Sequence, residues 1–300
     1  MTLLVISCLN KENQIIINST MKILVPTDFS ATSFNALKIA KNMAKKTNGE
    51  IILLHVIEAP SASISSTGEV LEDMMAHVYI AQLYAKVGLQ LQNLKDKNNE
   101  VNIKTLRRVG DPYKEIKDLI REEKADFVVI GEKGVSDIDD LFIGSLTDKV
   151  VRSSKCPVIT VNQSIENHPV KNILYATDLK QDHTKLLKVI KQLQELFDAK
   201  LHIVKINTKD NFSNDIDTKV KMRQLVDKHQ LQNCTLNTYN HADEEYGIVY
   251  YADEINADLI TMGIHKRTGI RRLINGGDLA VEVAEHSHRP VLTYHFDHND

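Results

Sequence analysis

An internal repeat constrains the fold of this 300-residue chain more than any other feature. Three segments of the first half return, in the same order, in the second half. The repeated pairs are MKILVPTDFS (21–30) with KNILYATDLK (171–180), ADFVVIGEKG (125–134) with ADLITMGIHK (257–266), and KCPVITV (155–161) with RPVLTYH (289–295). Three recurrences in one order indicate two copies of a single structural unit.

The repeat divides the chain into four parts. We expect an N-terminal extension, a first domain, a linker and a second domain, at residues 1–20, 21–163, 164–168 and 169–300. The polar stretch NQSIENHP, from Asn162 to Pro169, marks the linker. Two interpretations of the extension stay open. Either Met21 is the functional start, or residues 1–20 form a small strand or an ordered arm on the first domain.

Short apolar runs alternate with amphipathic segments within each copy, and this alternation predicts an α/β fold with parallel strands. Four runs of the first copy are nearly continuous and β-branched, as in strands buried on both faces: Ile23–Val25, Ile51–Val56, Phe127–Ile130 and Val158–Val161. Val101–Leu106 alternates apolar and polar residues, which favours a strand near the sheet edge. The second copy repeats the pattern near Ile173, Ile203, Leu236, Leu259 and Val291.

Two helix starts carry strong local signals. Ser30 precedes an apolar stripe that runs to Lys46, and its hydroxyl can accept a hydrogen bond from a free N–H of the first turn. Asp111 is followed by Pro112, and proline is tolerated in the first turn because no helical bond needs its N–H. We therefore expect helices to begin at both places.

The residues that favour ligand binding lie where strands end. In an open parallel sheet, ligands bind at the carboxyl ends of strands where the strand order reverses. Pro26-Thr27-Asp28 ends the first strand, and Gly131-Glu132-Lys133-Gly134 follows the fourth. Glycines let the backbone approach a ligand closely, and the free N–H groups of the helix after Gly144-Ser145 favour a phosphate. Taken as spacing alone, these glycines favour ordinary turns, because glycines at strand–loop–helix junctions commonly serve only the turn.

In combination, the motifs resemble the universal stress protein family. The shared features are PTDFS, a strand ending in HV, GDP at 110–112, and G-x2-G-x9-G-S followed by CPV. The resemblance covers both copies and implies a tandem member. It implies two Rossmann-like (adenine nucleotide alpha hydrolase-like) domains, each a five-stranded parallel sheet of order 3-2-1-4-5 with helices on both faces. It also implies pairing of the two domains, as in a dimer, through their final strands.

One branch of that family binds ATP or another adenine nucleotide, and the resemblance places such a site in the first domain. The residues implied near the nucleoside are Pro26, Thr27, Asp28 and Val56. Those implied around the phosphates are Gly131, Gly134, Gly144, Ser145, Leu146 and Thr147, with Ile130 and Lys133 beside them.

The chain also departs from the family pattern. The loop of the first copy contains Asp137, Asp139 and Asp140, which a triphosphate tolerates only if Mg²⁺ bridges carboxylates and phosphates. In the second copy, Lys266 replaces the second glycine and Gly277 replaces the serine. We therefore expect the second domain not to bind ordinary ATP. Its arginines, Arg267, Arg271 and Arg272, leave another anion open as its ligand.

Composition excludes several functional classes. A net charge of −3 argues against binding nucleic acid or anionic membranes through bulk positive charge. Three widely spaced cysteines favour a reducing compartment over a disulfide scaffold. No apolar run approaches the roughly 20 residues that span a bilayer, so we expect a cytoplasmic protein. No Walker A, G-x-S-x-G or HExxH motif is present, and neither catalytic nor metal-binding residues are predicted.

Three functions remain in order of preference. The first is an ATP-binding stress-response regulator that acts on a protein partner. The second is an interaction module that works through domain pairing, or through a further homodimer, without nucleotide. The third is a weak ATP hydrolase.

Overall fold

The computed structural model describes residues 20–58, 69–132, 146–162, 169–180, 183–265 and 278–296. These residues form ten strands and eight helices. The strands are β1 (Lys22–Pro26), β2 (Glu50–Ile57), β3 (Asn102–Val109), β4 (Phe127–Gly131), β5 (Val158–Val161), β6 (Asn172–Ala176), β7 (Lys200–Asn207), β8 (Cys234–Asn240), β9 (Leu259–His265) and β10 (Val291–Phe296). The helices are α1 (Ala31–Thr47), α2 (Glu69–Lys97), α3 (Pro112–Glu123), α4 (Leu146–Ser153), α5 (Thr184–Phe197), α6 (Asp215–His229), α7 (Glu244–Glu254) and α8 (Leu279–His286). The predicted linker at 164–168 and nearly all of the N-terminal extension lie outside the described residues.

One ten-stranded sheet runs through both halves of the chain, in the order β3-β2-β1-β4-β5-β10-β9-β6-β7-β8. Each half therefore has the strand order 3-2-1-4-5 that the resemblance implied. Neighbouring strands within each half are parallel, and only the central pair, β5 and β10, is antiparallel. The alternating strand at 101–106 is the edge strand β3, as predicted.

Helices cover both faces of the sheet because adjacent residues of a strand point to opposite faces. Ile23 and Val25 of β1 belong to an apolar cluster that also contains residues of α1, α2 and their second-half counterparts α5 and α6. Leu24, between them, belongs to a second cluster, on the other face, with residues of α3, α4, α7 and α8. Burial on both faces explains why the strands read as continuous apolar runs.

The two halves are joined by a reciprocal contact between β5 and β10. Thr160 pairs with Val291, and Thr293 pairs with Val158. The Thr160 hydroxyl donates to the Val291 carbonyl at 3.3 Å, and the Thr293 hydroxyl donates to the Val158 carbonyl at 3.4 Å. Each domain thus covers the sheet edge of the other, which is the pairing through final strands that the resemblance implied.

Both predicted helix starts are confirmed. The backbone N–H of Ser33 donates to the Ser30 hydroxyl at 3.2 Å at the start of α1. The backbone N–H of Lys114 donates to Asp111 Oδ1 at 2.8 Å, with Pro112 as the first residue of α3. These caps satisfy donors that have no partner inside the helix.

Candidate functional site

The candidate site lies at the carboxyl end of β1, between β2 and β4. In the sheet, β2 lies on one side of β1 and β4 on the other. The strand order therefore reverses at β1, and open α/β sheets form ligand crevices at such a point. Thr27 follows β1 and is buried, and Gly131 ends β4. The Thr147 hydroxyl of α4 donates to the Gly131 carbonyl at 3.3 Å. The structure therefore brings the ends of β1 and β4 and the start of α4 to one place.

A tight turn follows β1 and is held by short-range hydrogen bonds. The Thr27 backbone N–H donates to the Leu54 carbonyl of β2 at 2.8 Å. The Phe29 N–H donates to the Thr27 hydroxyl at 3.1 Å, and the Ser30 N–H donates to Asp28 Oδ1 at 2.9 Å. Phe29 adopts a left-handed backbone conformation with φ of 66°. These bonds compensate for a conformation that non-glycine residues seldom adopt, and they fix the direction of the Asp28 side chain.

The Asp28 carboxyl is kept ionised by its surroundings. Partial burial acts to raise its pKa, but hydrogen bonds from the Ser30 hydroxyl and backbone, with one from Ser33, outweigh that effect. The net result is a pKa below the ordinary aspartate value of 3.8. Hydrogen bonds to the charged form favour that form. Asp28 is therefore an exposed, oriented carboxylate, a suitable acceptor for a hydroxyl or amine of a ligand.

Gly131 is required by the packing of α1 against β4. A Cβ at this position would lie 2.5 Å from the backbone carbon of Thr32 and 2.7 Å from the backbone nitrogen of Ser33. Ser33 in turn lies beside Thr27, with 3.0 Å between their hydroxyl oxygens. Gly131 does not adopt positive φ, so backbone freedom is not the reason for a glycine here. Close approach is thus needed by the protein's own helix, and approach of a ligand stays a prediction.

Sequence reasoning missed the contribution of His55. Its Nδ1 lies 2.7 Å from the Thr27 carbonyl oxygen, and its ring stacks on Phe29 with centroids 4.7 Å apart. His55 was noted only as part of a strand ending, while the next residue, Val56, was predicted for the site. Val56 is half-buried and packs partly against the core. The signal was present, because a histidine in an otherwise apolar strand needs a polar partner.

The remaining predicted residues fall into two groups. Ile130 is buried in the core, so only its backbone faces the strand end, and Leu146 is partly exposed at the first position of α4. Pro26, the last residue of β1, is also buried. Four others lie outside the described residues: Lys133, Gly134, Gly144 and Ser145. The acidic residues of the same loop, Asp137, Asp139 and Asp140, lie outside them too.

The second domain repeats the turn after its first strand. The Leu179 N–H donates to the Thr177 hydroxyl at 3.1 Å, and the Lys180 N–H donates to Asp178 Oδ1 at 2.9 Å. Leu179 has φ of 59°, so its backbone matches that of Phe29. The turn is therefore a property of both copies and does not by itself distinguish a binding domain from a diverged one.

The surroundings of that second turn differ. Lys205 is the sixth residue of β7, as His55 is of β2, and it is buried with Nζ donating to Asn207 Oδ1 at 2.8 Å and the Asn211 carbonyl at 2.7 Å. Burial lowers the pKa of Lys205. A cavity of about 220 Å³ lies beside the turn, and its lining includes Lys180 and three carboxylates, those of Asp178, Glu244 and Asp278. Asp178 is the counterpart of Asp28, whereas Glu244 and Asp278 add negative charge that disfavours a phosphate chain.

The universal stress protein family model matches residues 20–162 and again residues 169–295. The chain belongs to the universal stress protein family. Universal stress protein YxiE of Bacillus subtilis is 35% identical over 144 residues, which cover 47% of this chain and 97% of the relative. Universal stress protein Slr1230 of Synechocystis is 23% identical over 289 residues, covering 91% of this chain and 99% of the relative. The match to Slr1230 therefore extends through both Usp domains.

A solved universal stress protein from Archaeoglobus fulgidus shows the same fold. It superposes with a TM-score of 0.72 at 23% identity, covering 91% of this chain and 98% of that one. Two further observations concern the described residues alone. None of their helices is long and apolar enough to cross a membrane, and they contain no group of three histidine, cysteine or acidic residues arranged to hold a metal ion.

Proposed function

We propose that this universal stress protein binds ATP or another adenine nucleotide in its first domain and acts as a nucleotide-responsive regulator of a protein partner. The observation that carries the proposal is the convergence at the crevice: Thr27 and Asp28 after β1, Gly131 at the end of β4 and Thr147 on α4. This is the position at which open α/β sheets bind nucleotides. The fold and family support a nucleotide site here, and Asp28 supplies a chemically suitable group.

The residues of the crevice fit an adenine nucleotide in distinct roles. The ionised Asp28 would accept hydrogen bonds from ribose hydroxyls, as acidic residues do in related dinucleotide sites. The first N–H groups of α4 would donate to phosphate oxygens, because they have no helical partner and the helix dipole is positive there. The Thr147 hydroxyl would join them by turning its hydrogen from the Gly131 carbonyl to a phosphate oxygen. Gly134, Gly144 and Ser145 are proposed to complete the phosphate site. Mg²⁺ would offset the three aspartates of the loop.

We assign the second domain a different role. Its sequence lacks the second glycine and the serine of the motif, and Glu244 and Asp278 line its cavity in addition to Asp178 and Lys180. The second domain would then serve as the pseudo-dimer partner of the first through β5 and β10. A regulatory role follows for the whole chain, since nucleotide in the first domain would change the surface next to α4, which contacts both β10 and α8 of the second domain.

A matched pair of variants tests this assignment in the full-length chain. Asp28→Asn and Asp178→Asn change equivalent residues, and asparagine still accepts the backbone N–H two positions later. In titration calorimetry with ATP and Mg²⁺, we expect Asp28→Asn to weaken binding roughly tenfold or more, since a hydrogen bond to a charged group is worth about 1.5–3 kcal/mol. Asp178→Asn should leave the affinity unchanged. The reverse pattern would place the site in the second domain and overturn the proposal.

Two alternatives have their own readouts. The continuous ten-stranded sheet favours a pairing module that needs no nucleotide, and failure of the unmodified protein to bind ATP would support it. Steady ADP release that disappears in Asp28→Asn would instead support a weak hydrolase. Mass spectrometry of any nucleotide retained on purification identifies the ligand of a binding protein or a hydrolase, and none is expected for the pairing module.

A further inference from the structure

Two clefts flank the junction of the domains, on the face of the sheet covered by α1 and α5. The first, here the Lys155 cleft, has a volume of about 410 Å³ and is lined by Met21, Phe127, Lys155, Val189, Leu196 and Tyr294 among others. The second, here the Arg289 cleft, has a volume of about 360 Å³ and is lined by Ile39, Met43, Phe197, Leu259, Arg289 and Pro290 among others. Both volumes fall within the range of small-molecule sites, roughly 300–1,000 Å³.

The internal repeat relates the two clefts to each other. Val189 of α5 lines the Lys155 cleft, and its counterpart in the repeat, Ile39 of α1, lines the Arg289 cleft. Phe127 of β4 and Leu259 of β9 correspond in the same way. The two copies have diverged, yet both keep large apolar side chains on these walls.

Several apolar side chains of the Lys155 cleft remain partly accessible. Met21, Val189, Leu196 and Tyr294 pack against the core without being fully buried. Small-molecule sites are concave and lined mainly by apolar side chains, as this cleft is. A ligand with a long apolar part would remove this surface from water.

The two clefts differ in whether their basic side chain is already held by other groups of the protein. Asp126 also lines the Lys155 cleft, but its Oδ2 accepts the Lys22 backbone N–H at 2.8 Å. Lys155 is exposed and makes no hydrogen bond or ion pair with any described residue. In the other cleft, Arg289 is held by Asp253 at 3.0 Å and by the Ala257 carbonyl. The Lys155 cleft therefore offers a cation that a ligand can reach.

We propose that the Lys155 cleft binds a long-chain carboxylate, with its acyl chain against the apolar wall and its carboxylate at Lys155 Nζ. Each methylene group buried there strengthens binding about fourfold, which makes the chain the main source of affinity. The ion pair at the exposed lysine adds a smaller contribution and sets the orientation. This site is separate from the crevice at β1 and does not depend on nucleotide binding.

Fluorescence titration of the full-length protein with 11-(dansylamino)undecanoic acid tests the site. We expect saturable binding that hexadecanoate displaces. Val189→Phe fills the Lys155 cleft and should weaken binding tenfold or more, whereas Ile39→Phe, the same change in the Arg289 cleft, should leave it within twofold. If Val189→Phe loses its circular dichroism spectrum, Leu196→Phe takes its place. Absence of saturable binding, or equal effects of the two phenylalanines, overturns the site.

The head group is tested separately. Lys155→Gln should weaken hexadecanoate binding about three- to fivefold, the scale of an exposed ion pair. Lys149→Gln makes the same charge change on the exposed surface of α4 and should have no effect. Hexadecan-1-ol should bind Lys155→Gln and the unmodified protein equally. Equal hexadecanoate affinity of Lys155→Gln and unmodified protein overturns the assignment of a carboxylate.

Discussion

The side-chain amide nitrogen of Asn162 lies 2.8 Å from the main-chain oxygen of Ala284, a residue 122 positions further along the chain. The same nitrogen lies 3.0 Å from the Glu285 carbonyl and 3.1 Å from the Ser287 carbonyl. Asn162 directly follows β5 of the first domain, and these carbonyls are at the end of α8 in the second. One side chain therefore supplies a donor to the helix end of the other domain, where carbonyls lack helical partners.

We expect Asn162→Ala to destabilise the chain by about 1–3 kcal/mol, because buried carbonyls would lose their donor. Asn162→Asp should cost more, since it adds a negative charge beside the negative end of the α8 dipole. Urea unfolding of both variants measures the order. Equal stability of Asn162→Asp and the unmodified protein would contradict the role given to this amide.

Gly131→Ala should destabilise the protein by about 1–3 kcal/mol, the usual cost of forcing extra atoms into a packed site. The added methyl would meet backbone atoms of Thr32 and Ser33, so the start of α1 would have to move. Gly88→Ala on α2 is the control, because its methyl meets the guanidinium of Arg107, the far end of a flexible side chain. Thermal or urea unfolding should show the smaller loss for Gly88→Ala; the opposite order would show that α1 yields easily.

Glu100 contributes to the dependence of folding stability on pH under acidic conditions. Hydrogen bonding by Lys41, with Lys45 nearby, lowers the pKa of Glu100 from 4.5 to about 2. Because the folded-state pKa is depressed, the stabilisation is present in full above about pH 4.5 and is lost as the pH falls through about 2. Carbon-detected NMR titration should show this midpoint. Lys41→Met should return the pKa of Glu100 toward 4.5. Lys38→Met should leave that pKa unchanged, because Lys38 contacts Asn35.

Tyr175→Phe removes a hydrogen bond from the core of the second domain. The Tyr175 hydroxyl oxygen lies 2.6 Å from His183 Nδ1, and both side chains are buried. Loss of a buried hydrogen bond costs about 1–2 kcal/mol in unfolding free energy. Tyr250→Phe changes a tyrosine that is 52% exposed and should cost less than about 0.5 kcal/mol. Equal unfolding midpoints for the two variants would contradict this account.

Most of the fold was predictable because the inner strands of the sheet are buried on both faces. Runs such as Phe127–Ile130 are apolar at consecutive positions, and their return at Leu259 identified the second domain. Caps at Ser30 and Asp111 were also readable, since each depends on contacts within one helical turn. The strand order needed more than local pattern and came from the family resemblance.

The candidate site was predictable only in part. Thr27, Asp28 and Gly131 lie where the motif placed them. The left-handed backbone of Phe29 could not be predicted. A polar partner for His55 was predictable, but its identity as the Thr27 carbonyl was not, because it depends on how β2 lies beside β1. The backbone contact that requires Gly131 is made by α1, which is far away in sequence. The spacing of residues near Gly131 therefore could not predict it.

The antiparallel contact of β5 with β10 has a consequence for the chain as an assembly. Separate subunits that associate through such an edge can dissociate and exchange, so unlike copies would mix at random. Here the unlike halves are covalently tethered, and each first half always meets a second half in a ratio of one to one. Either half can therefore diverge in sequence without its copies pairing with one another.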